Sequence, residues 1–290
     1  MVFQSMQSVF LDELVDFEDQ QRRFEEMLDH SASKRLMLVQ APGMCGKTSL
    51  LRILRFHCEQ KGIPRCWIDF RGQSYDNPHF TLARDMCDQL GLSPRHMYQA
   101  LQPFNTGQSV DAEVAAHAEA STEVKGDVID SYVVTQVLTG VSVTRDDLRQ
   151  RYMKERLKRA FITDLGDFAV ESRGVACFFD SFEDISAEEE DWLLDALLCP
   201  IAEGALKGVM VVTAGRRWPE IDRWGWEKRA HLIDNLPSMS VKHIKVYARK
   251  VGVEITDEQA KFCWRASRGG NPLFMGMVVK NLQAVGEVGS

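Results

Sequence analysis

Arg35-Leu36-Met37-Leu38-Val39-Gln40-Ala41-Pro42-Gly43-Met44-Cys45-Gly46-Lys47-Thr48-Ser49 is the stretch that decides the fold of this 290-residue chain. Residues 35–40 are a short apolar run, which predicts a buried parallel strand. Residues 41–48 match the P-loop pattern [AG]-x-x-x-x-G-K-[ST], with Ala in place of Gly at the first position. Each part of the pattern has a physical purpose. Gly43 and Gly46 let the backbone curl, so that its N–H groups turn inward as an anion nest. The helix predicted over 47–61 adds its positive N-terminal end. Lys47 reaches β- and γ-phosphates, and the Thr48 hydroxyl ligates Mg²⁺. Pro42, Met44, Cys45 and Ser49 complete the lining of the same loop. The predicted helix carries Leu50, Leu51, Ile53, Leu54 and Cys58 and stops near Gly62.

Outward from this stretch, apolar runs at 66–70, 175–179 and 209–213 read as further strands, with a weaker fifth from His231. Helical patterns separate them: 15–28 before the P-loop, about 79–90, and a long amphipathic segment from Arg145 with Met153, Leu157, Phe161 and Leu165 every fourth residue. Strands alternating with helices predict an α/β fold built on a parallel sheet. Residues 105–144 are small, polar and weakly patterned, and read as a mobile insertion; 131–144 are richer in Val and would pair as a strand or face a partner. From Leu236 the pattern turns all-helical. The expected division is a P-loop NTPase domain over 1–235 and a small helical lid over 236–290.

Several residues outside the loop carry chemistry. Asp180 ends an apolar run in the Walker B manner, which holds a carboxylate at the C-terminal edge of a buried strand, where it acts on Mg²⁺. Glu183 and Asp184 follow; a carboxylate there orients the attacking water, and Glu183 is the first choice. Arg216 follows the fourth apolar run and is placed to sense a γ-phosphate, with Arg217 as the adjacent alternative. Gly270-Asn271-Pro272 lies between helical segments, and capping by Asn with Pro in the first turn explains it on structural grounds alone. Cys45, inside the loop near a helix N-terminus, is a candidate reactive thiol or a tolerated variable position.

Bulk properties narrow the field. A net charge of −7 argues against a nucleic-acid backbone as the main partner, although Lys34, Arg35, Arg52 and Arg55 lie near the P-loop in sequence and would give a local basic face or an ordinary solvated one. The seven cysteines form no C-x-x-C pair, which speaks against structural zinc. No apolar stretch reaches the roughly 18 residues of a membrane span, and the N-terminus does not read as a signal peptide. The expectation is a reducing, cytoplasmic setting.

Taken in order, these motifs resemble the STAND-type NTPases, signalling relatives of the AAA+ and origin-recognition ATPases, over about residues 15–285. Phe17 with its neighbouring acids and Arg22-Arg23 resembles the motif that precedes the P-loop in that family. Residues 41–48 resemble its Walker A, Asp180 with Glu183 and Asp184 its Walker B, Val211-Val212-Thr213-Ala214-Gly215-Arg216 its sensor strand, and Gly270-Asn271-Pro272 the G-x-P motif of its lid. The resemblance implies ATP and ADP as ligands with Mg²⁺, and puts Pro272 near the adenine. It also implies a switch, closed with ADP and opened by ATP, with ATP-dependent self-association. Typical members are longer, so the expectation is either an isolated core or a protein whose sensor and effector functions come from separate protein partners. Two other readings stay open. One is a DNA-associated AAA+ ATPase of the origin-recognition or transposition-helper sort. The other is a scaffold that keeps its nucleotide unhydrolysed, because Ser181 stands where many AAA+ proteins have their catalytic Glu.

Overall fold

All five expected strands form: β1 (Leu36–Gln40), β2 (Arg65–Asp69), β3 (Val175–Asp180), β4 (Val209–Gly215) and β5 (Ala230–Ile233). The computed structural model describes residues 17–29, 32–72, 75, 77–105, 145–221, 223–250 and 252–271, with 275 and 278. Pro272 and residues 106–144, and with them the insertion and its Val-rich 131–144 stretch, lie outside the described residues.

The strands pair in parallel in the order β2-β3-β4-β1-β5. β4 therefore sits between β1, which precedes the P-loop, and β3, which ends in Asp180. β1, β3 and β4 are buried along most of their length, because both faces of a parallel sheet are covered and no alternation with polar residues is tolerated. The period of two still sorts their side chains. Met37, Val39, Ala176, Phe178, Met210 and Val212 join one core, which also takes Phe24 and Met27 from α1 (Glu18–Leu28) and Leu50, Leu51, Leu54 and Cys58 from α2 (Lys47–Gln60). The alternate residues Leu36, Leu38, Cys177, Phe179 and Val211 are equally buried on the opposite face.

α2 ends as its sequence predicts. Gly62 takes φ +66°, the Gly62 N–H donates to Glu59 O, and the Ile63 N–H donates to Cys58 O at 2.9 Å. These bonds satisfy carbonyls that the last helical turn leaves open.

The chain divides into two compact units, one made of the segments before Tyr75 and after Asp167, the other of 75–167. The second unit holds α3 (Thr81–Leu90), α4 (Arg95–Asn105) and most of α5 (Arg145–Glu171). α5 is the long amphipathic helix; Leu157, Phe161 and Leu165 are buried, while Met153 is only half-buried. α4 was not legible in the sequence, and its start depends on a partner far along the chain: the buried carboxylate of Asp164 accepts the backbone N–H groups of His96 and Met97, both at 3.0 Å.

In the first unit, α6 (Ala187–Leu193) begins at the capping box Ser186–Glu189 and runs through a π-turn into α7 (Cys199–Ala202). After α8 (Arg223–Trp226) and β5 come α9 (Val241–Lys250) and α10 (Asp257–Ala266). These two helices pack on each other around a core of their own, with Met239, Ile244, Ala248, Ala260, Cys263 and Met275. Among the described residues, no helix is long and apolar enough to cross a membrane.

The structure decides between the two readings of the cations that neighbour the P-loop in sequence. Lys34 and Arg35 make no basic face beside the P-loop. They stand at the opposite end of β1, where Arg35 donates to the carbonyls of Met27 and Asp29 and Lys34 to that of Glu227. Arg55 lies over the Trp67 ring.

Candidate functional site

The C-terminal edge of the sheet gathers the chemistry, as it does in open α/β sheets generally. After β1 the chain turns through Ala41, Pro42, Gly43, Met44, Cys45 and Gly46. Met44 takes φ +66° and Gly46 φ +89°, and these left-handed residues curl the loop before α2 starts at Lys47. Met44 is exposed, Cys45 half-buried, and Ser49 lies in the first turn of α2. Ala41 is tied to β4 by its N–H, which donates to Gly215 O at 3.0 Å.

Lys47 is nearly buried, and its Nζ donates to the carbonyls of Ala41 and Pro42, each at 2.8 Å. Burial pushes its pKa down, and the nearby Glu183 carboxylate opposes that shift. The Thr48 hydroxyl donates to Asp180 Oδ2 at 2.7 Å, which joins the first turn of α2 to the end of β3 across 132 residues of sequence. Asp180 is 2% exposed, and its Oδ1 accepts the Ser181 N–H at 2.9 Å. Burial raises the Asp180 pKa, while the bonds from Thr48 and Ser181 work the other way. These two residues offer a hydroxyl and one carboxylate, hard oxygen donors already in contact. That set fits Mg²⁺, which keeps much of its water and takes few protein ligands beside phosphate oxygens. Among the described residues no cluster of three or more His, Cys, Asp or Glu could hold a metal without such help.

Beyond Asp180, Ser181 adopts the left-handed region at φ +55° and opens a single 3₁₀ turn, Phe182–Asp184. The turn separates the two acids. Asp184 is exposed, whereas Glu183 points at the end of β4. Glu183 Oε1 meets Arg216 Nε at 3.0 Å, and Oε2 accepts the Arg216 backbone N–H at 2.8 Å. Gly215 makes this approach possible: a Cβ there would lie 2.8 Å from Phe182 Cβ and 3.1 Å from Glu183 Oε2.

The two adjacent arginines part company. Arg217 pairs with the buried Glu190 of α6 through both terminal nitrogens and lies over the Phe182 ring, a structural tie. Arg216 swings the other way, so that its Nη2 is 3.4 Å from the point where a Cβ on Gly43 would stand. The structure thus brings Gly43, Lys47, Thr48, Asp180, Glu183 and Arg216 to one edge.

Two further residues stand at that edge with little signal in the sequence. Asp69 ends β2 in register with Asp180, and Arg71 reaches Ser181. The available signal was Cys66-Trp67-Ile68-Asp69, an apolar run ending in Asp as β3 does. Gly270 of the G-x-P stretch has a packing reason: it takes φ +86°, its O accepts the Met239 N–H at 2.9 Å, and a Cβ on it would fall 2.0 Å from Met239 O.

No protein-family model matches the chain, and no curated protein matches it by sequence. Among solved structures, a Walker-type ATPase of Pyrococcus abyssi superposes with a TM-score of 0.51 at 17% identity, over 93% of this chain and 68% of that one. A DNA replication initiation factor aligns with a TM-score of 0.47 at 11% identity, over 94% and 64% of the two chains. RuvB of Thermotoga maritima aligns with 0.44 at 15% identity, over 96% and 66%. The chain spans about two thirds of the length of each. The likeness to the Pyrococcus protein, together with a five-stranded parallel sheet that carries the P-loop after β1, gives this chain the α/β fold of the P-loop ATPases.

Proposed function

We propose that the chain is a Mg-ATP-binding regulatory ATPase of the STAND type, a nucleotide-dependent switch that turns ATP over slowly. The observation that carries this reading is the double engagement of Glu183 by Arg216, at 3.0 and 2.8 Å. A general base needs a carboxylate oxygen directed at the attacking water, and here both oxygens are held. The cation that a γ-phosphate would attract is the same arginine. ATP therefore competes with Glu183 for Arg216, while ADP leaves the pair intact. That differential contact is what lets a ligand shift a two-state equilibrium.

The remaining roles follow from position. Lys47 leaves the carbonyls of Ala41 and Pro42 for the β- and γ-phosphates, and the backbone of 42–46 with Ser49 cradles the phosphate chain. Thr48 and Asp180 would hold Mg²⁺, which when bound would neutralise phosphate charge. The functional division is a P-loop domain over 1–235 and a lid over 236–290, with Pro272 toward the base. Protein partners and ATP-dependent self-association supply the signal and the output.

One observation favours the DNA-associated alternative. In a chain of net charge −7, residues 236–271 carry Lys242, Lys245, Arg249, Lys250, Lys261, Arg265 and Arg268 against Glu254, Asp257 and Glu258. A basic segment of this kind suits a phosphate backbone.

The test is to denature freshly purified protein, identify released nucleotide, and follow ATP turnover with and without Mg²⁺. Retained ADP with slow, Mg²⁺-dependent turnover is expected. An empty protein with rapid turnover contradicts the switch, and DNA binding that weakens steeply with salt would then establish the alternative.

A further inference from the structure

A continuous line of hydrogen bonds crosses the sheet edge from β2 to the P-loop helix. Asp69 Oδ1 accepts the Arg71 N–H at 3.0 Å, and Asp69 Oδ2 lies 3.5 Å from Arg71 Nη2. Arg71 Nε and Nη2 both donate to Ser181 Oγ, at 3.3 and 3.2 Å. The Ser181 N–H donates to Asp180 Oδ1, and Asp180 Oδ2 accepts from Thr48. Two features of this line are unusual. The Arg71 side chain is 64% exposed, yet it is docked through two nitrogens on a hydroxyl that is itself buried. A long, solvated side chain loses rotamer freedom by such docking. Ser181 sits at φ +55°, a left-handed conformation that a non-glycine residue keeps only where its surroundings fix it.

We infer that Arg71 is a positioning residue for the Mg²⁺ site. This rests on the nucleotide reading above. The guanidinium, anchored by Asp69, holds the Ser181 hydroxyl and with it the turn that aims the Ser181 N–H at Asp180. That N–H occupies Oδ1, so the carboxylate is fixed in rotation and Oδ2 faces Thr48. The two oxygen donors are therefore set before metal arrives. Outer partners that orient a ligand typically govern metal affinity by 10- to 100-fold. Ser181, at the position next to the Walker carboxylate, serves here as the link between Arg71 and that carboxylate.

The experiment is calorimetric titration of ADP into the full chain at a series of Mg²⁺ concentrations and in EDTA, for wild type, Arg71→Ala, Arg71→Lys, Ser181→Ala and the Arg71→Ala/Ser181→Ala double variant. Arg71→Ala is expected to raise the Mg²⁺ needed for half-saturation by about tenfold, with ADP affinity in EDTA unaltered. Arg71→Lys restores part of the loss. Ser181→Ala removes one oxygen, leaves the fold least disturbed and gives the same shift, and the double variant is no worse than either single one. A wild-type Mg²⁺ requirement in Arg71→Ala or Ser181→Ala, or additive effects in the double variant, overturns the positioning role. A wild-type chain that binds no ADP with or without Mg²⁺ overturns the nucleotide reading as well, and is distinguishable on that ground.

Discussion

Replacing Arg216 by Ala should separate ATP from ADP while barely touching the fold. The side chain is 67% exposed and its partner Glu183 is 22% exposed. An ion pair in that setting contributes about 0.2–1 kcal/mol. The backbone bond from residue 216 to Glu183 Oε2 survives the substitution, so the loss falls at the lower end, and Tm should drop by no more than about 2 °C. The effect on ligand choice is larger. A hydrogen bond to a charged group is worth about 1.5–3 kcal/mol, which corresponds to roughly 10- to 150-fold in affinity. Only ATP presents a γ-phosphate to Arg216, so the variant should lose about that factor for ATP and keep wild-type affinity for ADP. Competitive titration of both nucleotides against one fluorescent analogue, with thermal melts on the same samples, measures both quantities. An ATP-to-ADP ratio equal to that of wild type would rule out a γ-phosphate contact and reduce Arg216 to a surface partner of Glu183.

Glu183→Gln should retain ATP while slowing its turnover by about 100-fold or more, as loss of a general base does; a normal single-turnover rate would move the role elsewhere, with Asp184 next in line. Gly270→Ala places a Cβ 2.0 Å from Met239 O at φ +86°, and overpacking with left-handed strain costs on the order of 3 kcal/mol. Hydrogen exchange should show lost protection over residues 239–270 with the P-loop core unchanged, and uniform protection would discount the Gly270–Met239 contact. Asp180→Asn should bind Mg-nucleotide poorly yet be at least as heat-stable as wild type at neutral pH. The sign follows from burial, which raises the Asp180 pKa above its unfolded value. Its stability contribution is fully present below the ordinary aspartate pKa and is lost as pH rises through the raised value. The Asn variant should therefore gain on wild type between acidic and neutral pH, and a gain as pH falls would contradict the burial argument.

The P-loop was legible because its chemistry is local: strand, glycine turn, Lys47 and Thr48 are contiguous, and nothing distant is needed to recognise them. Asp180 was legible through the apolar run before it. The choice between Arg216 and Arg217 was not, since it depends on Glu190, which lies 27 positions before Arg217 and takes that arginine away. The choice between Glu183 and Asp184 depends on the 3₁₀ turn and on Gly215. Arg71 was invisible for the same reason, since it lies 110 positions before Ser181. Lys34 and Arg35 are close to the loop in sequence but not in space. A five-residue strand at about 3.3 Å per residue carries the chain roughly 17 Å away from them before the loop begins.

Nucleotide binding through Lys47 is the claim on which the rest depends. Lys47→Ala removes an ammonium group that two loop carbonyls now hold, and those carbonyls can turn to water. The measurement is calorimetric titration of Mg-ATP into wild type and Lys47→Ala, with melting curves to verify that both are folded. Saturable one-to-one binding to wild type is expected, with at least about a 100-fold loss in the variant, because two charge-assisted bonds to phosphate are gone. Equal affinity in the two folded proteins would contradict it.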